Sequence, residues 1–544
     1  MSIKSDLLRA GYLPENLPPS FHTENLATYF ALHGRRGYFS TRGQAYRATP
    51  YSASKRGLSR RTFSFVHPAT AHDLAEFVDS RWPAISEFIE NNDFSISIPQ
   101  YIPDDERSFR ITSHGELDQI KYDRLSHHRF IARTDISRFY HSIYTHSLPW
   151  AFHGRDASKA DRSTQSAAVF FNRVDFILRQ GQDGQTIGIP VGPDASRILA
   201  EVLARAIDTA FAQRNPPAGI TVLRHVDDVW IGADTYADAE QALWKYREAI
   251  RAFELDINEN KTRIYAEGFH FVEEWPTEIA SRIEFAFSSA EERQPERLRS
   301  ALEYAFNLAV RESDDGILKF AIRYVDESQH HWTSWRTLNT FLKRVAAHFG
   351  HAIDYVVRVI VWRHLTSADL DLDTWRPILI NALRQHSRLG NDSEVCWIIY
   401  GCFRLDIAID LDIALAVAEN CGALSTVAIL NGVHADIVPP EIFHHVAEML
   451  VDESANGEYW PLFLEWLARG WPEHERITMA ANCELVAEMA GEISTLFDAG
   501  RLPPVFEGVD PDDFRNVLRA IERRVSFYDD ESGEGDEVAD EIIV

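Results

Sequence analysis

The chain has 544 residues, 45% of them hydrophobic and 25% charged, so it is long enough to form several domains with sizeable cores. No apolar run approaches the roughly 20 residues of a membrane span, and the first residues lack the apolar core of a signal peptide. The four cysteines form no Cys-x-x-Cys pair, which argues against a zinc site or a disulfide framework. We therefore expect a cytoplasmic protein without membrane attachment.

The net charge of −27 is unevenly distributed along the chain. Residues 1–290 contain 33 Lys and Arg against 37 Asp and Glu, whereas residues 291–544 contain 22 against 45. This asymmetry indicates two bodies with different partners. The acidic second half should repel nucleic acid, so the composition argues against a simple nucleic-acid-binding module.

The first 50 residues predict a short helix, which Gly11 and Pro14 end, followed by an extended arm. Four cations then lie close together before a strand-like segment: Lys55, Arg56, Arg60 and Arg61. They are either a solvated basic loop or a clamp for phosphate groups, which Arg side chains bind well. The residues themselves leave both interpretations open.

A strand is predicted over residues 130–135, and it ends at Asp135 before a turn into a helix. The Asp135 carboxylate is either the N-cap of that helix or the first part of a metal site. Further on, a loop rich in Gly and Pro at residues 188–193 precedes an amphipathic helix that begins near Asp194. Such a loop lets the backbone approach a ligand closely, although it is also compatible with a plain turn.

Two adjacent carboxylates, Asp227 and Asp228, lie between segments 221–226 and 229–231, which predict two short buried strands. Adjacent Asp residues at a hairpin tip are ordinarily turn residues. Apolar strands, however, would hold both charges against a core, where an unpaired carboxylate is costly, and a divalent cation would remove that cost. A predicted helix and a segment that contains Lys261 follow.

From about residue 290, helical patterns follow one another with few strand signals. Helices are predicted near residues 336–364, 374–388, 393–403, 410–420, 439–452, 459–469 and 477–500. The turn signals between them come at irregular intervals, which favours an α-solenoid or irregular helical repeat. We assign the chain to an N-terminal arm (1–50), a first domain (51–285), a helical domain (286–525) and an acidic, disordered tail (526–544).

The order of these motifs resembles that of the palm of a reverse transcriptase across about residues 50–265. The matching segments are 134–140 (first catalytic motif), 188–196 (glycine-rich motif), 224–228 (aromatic-x-Asp-Asp box) and 255–262 (Asn-x-x-Lys-Thr segment). Residues 11–19, residues 142–151 and the helical second half resemble the bacterial abortive-infection and defence-associated reverse transcriptases, the AbiK/AbiA class. The resemblance implies an α+β fold, with the fingers and palm of a right-hand polymerase followed by an all-α, HEAT-like domain in place of a thumb.

The resemblance also implies a site for two Mg²⁺ ions. Its catalytic metal ligands would be Asp135, Asp227 and Asp228, with the carbonyl of Ile136 as a further ligand. Two ions roughly 3.5–4 Å apart stabilise the attacking and leaving oxygens of an in-line displacement at phosphorus. Mg²⁺ prefers hard oxygen ligands and keeps several waters, so two or three carboxylates suffice.

The substrates implied are dNTPs, and the residues implied in binding them lie in four parts of the sequence. The basic cluster at 55–61 and Lys261 would neutralise triphosphate charge, and Gly192 would lie against the nucleotide. Tyr140 matches the steric gate of the family, whose ring collides with a ribose 2′-hydroxyl. Tyr140 is alternatively an ordinary core aromatic.

Two residues depart from the family pattern: Val191 replaces the common glutamine of the glycine-rich motif, and His225 replaces the usual aromatic residue of the aromatic-x-Asp-Asp box. The glutamine amide helps to seat the nucleotide against template and primer, so its loss weakens the case for faithful templated copying. The abortive-infection class implies antiphage defence by protein-primed, template-independent synthesis of single-stranded DNA attached to a tyrosine, in a homotrimer or homohexamer. The priming residue stays open among Tyr12, Tyr38, Tyr46, Tyr51 and several tyrosines of the C-terminal domain.

Two alternative functions are compatible with the sequence. One is a templated RNA-directed DNA polymerase that uses a partner non-coding RNA. The other is a non-catalytic helical scaffold with a relic palm. The presence of all three acidic positions argues against a relic, because an unused metal site has no reason to keep three mutually repelling carboxylates.

Overall fold

The computed structural model describes residues 2–502, except for 15, 34–37, 56–58, 104–106, 267, 328–333, 368 and 493–494. Arg56 and the predicted acidic tail at 526–544 therefore lie outside the described residues. Within the described part, the first half contains both helices and strands, and helices form the second half. The predicted α+β organisation is confirmed. None of the helices described is both long and apolar enough to cross a bilayer.

The strands of the described residues form three antiparallel sheets. They are β1 (Thr49–Ser54), β2 (Arg60–Phe65), β3 (Gln100–Tyr101), β4 (Phe109–Arg110), β5 (Phe130–Asp135), β6 (Thr221–His225), β7 (Asp228–Ala233) and β8 (Arg263–Tyr265). Strands β1 and β2 pair with each other, as do β3 and β4, and the remaining four form one sheet in the order β6-β7-β5-β8.

The helices of the first half lie around these sheets. They are α1 (Ile3–Arg9), α2 (Glu24–His33), α3 (Pro68–Glu90), α4 (His114–Leu125), α5 (Phe139–Ser142), α6 (Ser147–His153), α7 (Arg155–Ala160), α8 (Asn172–Gln180), α9 (Asp194–Ala212) and α10 (Tyr236–Arg251).

The four-stranded sheet is buried on both faces, and its side chains alternate as the period of a strand requires. Val229 and Ile231 of β7 face α10 and belong to the main core, whereas Trp230 between them faces α4. Leu223 of β6 and Ile131 of β5 join Trp230 on the α4 side. Burial of both faces fixes the register of the strands, because a shift of one residue would reverse every side chain.

The helices of the second half form two rows. They are α11 (Glu274–Phe287), α12 (Gln294–Glu312), α13 (Gly316–Glu327), α14 (Trp335–His348), α15 (Ile353–Ser367), α16 (Leu372–Leu389), α17 (Asp392–Leu405), α18 (Leu411–Asn420), α19 (Ala423–His434), α20 (Ile442–Leu450), α21 (Trp460–Arg469), α22 (His474–Ala481) and α23 (Glu484–Glu492). Even-numbered helices α12 to α22 pack on one another in sequence, and odd-numbered helices α11 to α23 do the same. This two-layer stack is the arrangement of an α-solenoid.

Some helix boundaries differ from the predictions for physical reasons. The predicted helix at 336–364 is two helices, and the break lies at Gly350, where a Cβ atom would come within 2.7 Å of the His386 ring. The predicted helix at 477–500 is also divided, with Asn482 in the left-handed conformation between α22 and α23. Helix α19 was not predicted because it is buried on nearly all sides and has no polar face to give a helical period.

The helical half is joined to the first half more closely than the charge asymmetry suggested. It begins at α11, before the predicted boundary at residue 286, and one continuous hydrophobic core extends through both halves. Helices α17 and α19 pack on strand β1. The backbone N–H of Ser52 in β1 donates to Asp392 Oδ2 at 2.9 Å, and Trp397 Nε1 donates to the carbonyl of Asn16 at 2.7 Å. In the described residues, the two halves therefore pack against each other, although the charge of the sequence is unevenly distributed between them.

Arg60 connects β2 to the helical half through a buried carboxylate. Its Nη1 and Nη2 atoms donate to the two oxygens of Glu394, at 2.8 and 2.9 Å, and its Nε donates to Ser52 Oγ at 2.7 Å. The Glu394 side chain is only 3% exposed. Burial alone would raise the pKa of Glu394, but the Arg60 guanidinium holds it below its ordinary value. This forked geometry places Arg60 at the joint between the halves, and its part in triphosphate binding stays a prediction.

We expect Arg60→Ala to destabilise the protein by about 3 kcal/mol or more, because it leaves the Glu394 carboxylate buried without its partner. Thermal unfolding of the full chain measures the loss. Arg47→Ala is the matched control, since Arg47 pairs with Asp183 in an exposed ion pair that contributes about 1 kcal/mol at most. Equal decreases in melting temperature in the two variants would show that Arg60 does not stabilise the buried Glu394 carboxylate.

Candidate active site

The two adjacent aspartates lie at the tip of the β6–β7 hairpin. His225 is paired with Asp228, so Val226 and Asp227 form a two-residue turn. On the other side of β7, strand β5 pairs Asp135 with Asp228. Residues directly opposite each other on antiparallel strands have Cα atoms about 4.5–5.5 Å apart. The carbonyl of Asp227 accepts a hydrogen bond from the Ile136 N–H at 3.2 Å, which joins the turn to the end of β5.

The turn contains a strained residue. Val226 has φ +54°, a conformation that a β-branched side chain rarely adopts and that costs of the order of 1–3 kcal/mol. Two hydrogen bonds hold it: its N–H donates to Ser97 Oγ at 2.7 Å, and its carbonyl accepts from Arg224 Nη1 at 3.0 Å. The surrounding structure therefore fixes the turn in which Asp227 lies.

Arg224 itself is fully buried and connects the hairpin to helix α9. Its guanidinium donates to both carboxylate oxygens of Glu201, at 2.7 and 2.9 Å, and to Asp208 Oδ2 at 2.9 Å. Asp208 also accepts from the Tyr246 hydroxyl at 3.0 Å. Burial alone would lower the pKa of Arg224, but the charges of Asp208 and Glu201 hold it well above its ordinary value. Sequence reasoning missed this network. Arg224 lies within an apolar strand, and Glu201 and Asp208 lie seven residues apart on an apolar helix, so this pattern could have indicated a buried ion pair.

Asp135 has one oxygen in contact with a cation and one without a partner. Lys261 Nζ lies 3.1 Å from Asp135 Oδ2, whereas Oδ1 is buried without a hydrogen bond. The carbonyl of Asp135 accepts from the Asn258 N–H at 2.9 Å, which brings the segment that contains Lys261 against β5. Asp228 Oδ1 lies 3.5 Å from Arg133 Nη2. A buried carboxylate oxygen without a partner is costly, and a bound cation would remove that cost.

These residues fit a divalent metal ion. The donor set of Asp135, Asp227, Asp228 and the carbonyl of Ile136 consists only of oxygens, which is the set that Mg²⁺ prefers. Asp135 and Asp228 are on neighbouring strands, and Asp227 and Ile136 are joined by the backbone hydrogen bond described above. The fit to the exact ligand set stays a prediction.

A cleft of about 560 Å³ opens beside these carboxylates. It brings together most of the residues that the sequence singled out: Lys55, Arg60, Arg61, Asp135, Ile136, Tyr140, Gly192, Asp227 and Lys261. Arg56 lies outside the described residues, and Asp228 lies next to the cleft, opposite Asp135. The structure thus collects residues that are up to about 200 positions apart in the sequence.

Two more cations line the cleft that sequence reasoning did not select. Arg138 lies in the turn after β5 with φ +48°, and Arg197 lies in the first turn of α9. Burial lowers the pKa of His141, which also lines the cleft, and the positive charges of Arg138 and Arg61 lower it further. The cleft therefore combines carboxylates at one end with a concentration of positive charge, as binding of a polyanion requires.

The glycine-rich loop forms one wall of the cleft. Gly192 has φ +114°, and a Cβ atom there would lie 3.2 Å from the Phe63 ring, so both conformation and space favour glycine. Arg107 fixes the loop by donating to the Gly192 carbonyl and to Asp194 Oδ1, each at 2.8 Å. Val191, which stands where the family has glutamine, also lines the cleft.

Tyr140 lies on the short helix α5, and its half-buried ring faces the same cleft as Asp135 and Gly192. The carbonyl of Tyr140 accepts from the Ile189 N–H at 2.9 Å, which fixes α5 against the glycine-rich loop. A ring in this place is available to contact a sugar, and it is not enclosed in the core.

One known protein family matches the part of the chain that contains this site. Residues 84–273 match the family model described as Reverse transcriptase (RNA-dependent DNA polymerase). The chain carries a reverse-transcriptase domain. The matched residues include the three aspartates, the glycine-rich loop and Lys261, so the chain is a nucleotidyltransferase of the RNA-directed DNA polymerase type. No curated protein matches the chain.

Two solved structures align with parts of this chain. Telomerase from Candida albicans, in complex with a TWJ fragment of telomeric RNA, aligns with 11% identity and a TM-score of 0.29, over 65% of this chain and 67% of that one. Apo telomerase from Candida tropicalis aligns with 11% identity and a TM-score of 0.32, over 70% and 66%. Scores below 0.5 do not establish a common architecture for whole chains, so the identification depends on the family model.

We expect Arg224→Lys to lower the melting temperature and the polymerase activity together. A lysine cannot donate in a fork to Glu201 while bonding Asp208 and the Val226 carbonyl, so buried carboxylates lose partners. Thermal unfolding and nucleotide incorporation measure the two effects. Arg214→Lys is the control, because the Arg214 guanidinium donates to backbone carbonyls at the surface. A variant as stable and active as the wild type would show that the network does not hold the hairpin.

Proposed function

We propose that the protein is a Mg²⁺-dependent DNA polymerase of reverse-transcriptase type that acts in antiphage defence, by protein-primed and template-independent DNA synthesis from dNTPs. The observation that carries the polymerase part is the position of Asp135 opposite Asp228 beside a cation-lined cleft. The defence role rests on the resemblance of residues 11–19 and 142–151 to the abortive-infection class.

Two Mg²⁺ ions, when bound to Asp135, Asp227 and Asp228, would stabilise the attacking hydroxyl oxygen and the leaving pyrophosphate of the reaction. The other residues of the cleft bind and orient the dNTP. Arg61 and Lys55 on the fingers side offer charge to the triphosphate, and Lys261 is within reach because it already contacts Asp135. Tyr140 excludes the ribose 2′-hydroxyl.

Two features support synthesis without a template. The helices that follow the palm do not form a separate thumb, because α17 and α19 pack on strand β1 and share the core of the first half. Val191 cannot supply the amide that the family uses near the nucleotide and its template. A single-stranded product attached to the protein does not need a thumb that grips a duplex.

Burial argues against three of the candidate priming tyrosines. Tyr12, Tyr46 and Tyr51 are buried, the Tyr12 hydroxyl donates to the Val66 carbonyl, and burial raises the pKa of all three phenols. They cannot present a hydroxyl to the cleft without unfolding. Tyr38 is half-buried under the Arg173 guanidinium and stays a candidate. Tyr122 and Tyr236 are exposed, and they are further candidates among the described residues.

A templated reaction with a partner RNA is the second candidate, because the matching family consists of RNA-dependent DNA polymerases. The trimer or hexamer implied by the resemblance also belongs to the proposal, and it can be measured by light scattering of the purified protein.

The deciding experiment is incubation of the purified full chain with Mg²⁺ and labelled dNTPs without added nucleic acid. We expect label that stays with the protein on a denaturing gel and is released by nuclease. A chelator or the isosteric variant Asp227→Asn should abolish labelling, while the melting temperature of the variant stays unchanged, since a carboxylate is removed from a repelling group. Incorporation only after addition of RNA would favour the templated alternative, and labelling of Asp227→Asn would contradict the site.

We expect Tyr140→Ala to admit ribonucleotides, because removal of the ring opens space beside the sugar. The ratio of kcat/KM for dNTP to that for the matching rNTP measures the change. Tyr140→Phe is the control and should keep the wild-type ratio, since it retains the ring. An unchanged ratio in Tyr140→Ala would assign the residue to packing alone.

A further inference from the structure

A second cleft, of about 400 Å³, lies on the first half of the chain away from the carboxylates. We call it the aromatic–basic cleft. It is lined by Tyr144, His146, Pro149, Trp150, Ser158, Lys159, Arg162, Thr164, Asn172, Asp175 and Arg179. None of these residues lines the catalytic cleft. Four of them belong to the segment 142–151, which the sequence singled out without giving it a role.

One wall of this cleft is aromatic. Tyr144 and Trp150 are partly exposed, and their ring centroids lie 5.7 Å apart with planes inclined at 65°. The Arg155 guanidinium lies over one face of the Trp150 ring, 4.5 Å from its centroid. Partly exposed rings at a surface cleft provide faces on which a planar base can stack.

The other wall is basic. Lys159 and Arg162 are exposed, and neither forms an ion pair within the described part of the chain. Arg179 lies 3.3 Å from the buried carboxylate of Asp175, which also accepts from Thr145 Oγ1 at 2.6 Å and lies 2.7 Å from His146 Nδ1. Three cations against one anion give the cleft a positive charge on a chain whose net charge is −27. Such a local charge opposes the field of the whole protein and selects an anionic ligand.

The two clefts are joined by one piece of backbone. Tyr140, in the catalytic cleft, bonds to Ile189, and the carbonyl of Ile143 accepts from the Gly188 N–H at 2.8 Å. Tyr144 forms the next bridge, with Ile187. Tyr140 and Tyr144 are four residues apart, so their backbones are separated by at most about 14 Å. A strand of a few nucleotides can span this distance.

We propose that the aromatic–basic cleft binds a single strand of nucleic acid next to the catalytic cleft, with a base on Trp150 or Tyr144 and phosphates on Lys159, Arg162 and Arg179. This proposal rests on the polymerase activity, and it does not depend on protein priming or on defence. A groove that combines aromatic faces with cations is the usual way in which proteins bind single strands without regard to sequence.

The test measures binding of fluorescent dT20 and rU20 to the full chain by anisotropy, without Mg²⁺ or dNTP. We expect Trp150→Ala to weaken binding by about fivefold or more. Lys159→Gln/Arg162→Gln should weaken binding and reduce the slope of log Kd against log salt by about 1.4, as loss of two phosphate contacts on a single strand predicts. The oligonucleotide that binds with the lower Kd, dT20 or rU20, identifies the preferred strand as DNA or RNA.

Two matched controls separate binding at the aromatic–basic cleft from general effects of surface charge and exposed tryptophan. Arg293→Gln/Arg299→Gln removes the same charge from exposed positions of the helical half, and Trp244→Ala removes an exposed tryptophan of α10. Both should bind dT20 as the wild type does. Wild-type affinity in Trp150→Ala and in Lys159→Gln/Arg162→Gln, equal losses in the controls, or equal affinity for dTMP and dT20 would overturn the proposal. Because the assay contains no substrate, a failure of protein priming leaves its result unaffected.

Discussion

The buried guanidinium of Arg224 is the interaction on which the catalytic geometry depends. It joins three elements at once: two carboxylates of α9, the strand β6 and the carbonyl of the strained Val226. Buried charges are stable only when each has a partner, so helix α9 and the β6–β7 hairpin cannot shift separately. The position of Asp227 is therefore set by a network whose charged groups are buried and whose Val226 lines the cleft.

The residues that face the cleft differ from the buried Arg224 network. Asp135 keeps a buried oxygen without a hydrogen bond, and cationic side chains line the cleft beside it. An enzyme that binds a metal ion and a triphosphate needs both features, because carboxylate oxygens bind the metal ion and cations attract the phosphates. The rigid Arg224 network supplies the position of the hairpin, and the residues that face the cleft supply the charges.

The sequence predicted, for local reasons, which residues meet at the cleft. Their catalytic and binding roles stay predictions. A strand that ends at Asp135, an Asp-Asp pair between apolar strands and a loop with Gly192 are patterns of adjacent residues, and their order indicated how they would meet. Contacts between distant residues could not be read in this way. Arg60 looked like a member of a phosphate clamp, and only the fold shows that Glu394, more than 300 positions later, holds its guanidinium. The buried helix α19 was missed because a helix without a polar face has no period to detect.

Strand β2 carries Arg60 and Arg61 side by side, and this has a mechanical consequence. Arg60 is hydrogen-bonded to Glu394 of α17 in the solenoid, and both Arg60 and Arg61 line the catalytic cleft. Successive residues of a strand cannot move independently, so a bend of the solenoid that displaces α17 also displaces a cation of the cleft. A molecule that binds the outer helices and bends the solenoid would therefore move Arg61 without entering the catalytic cleft.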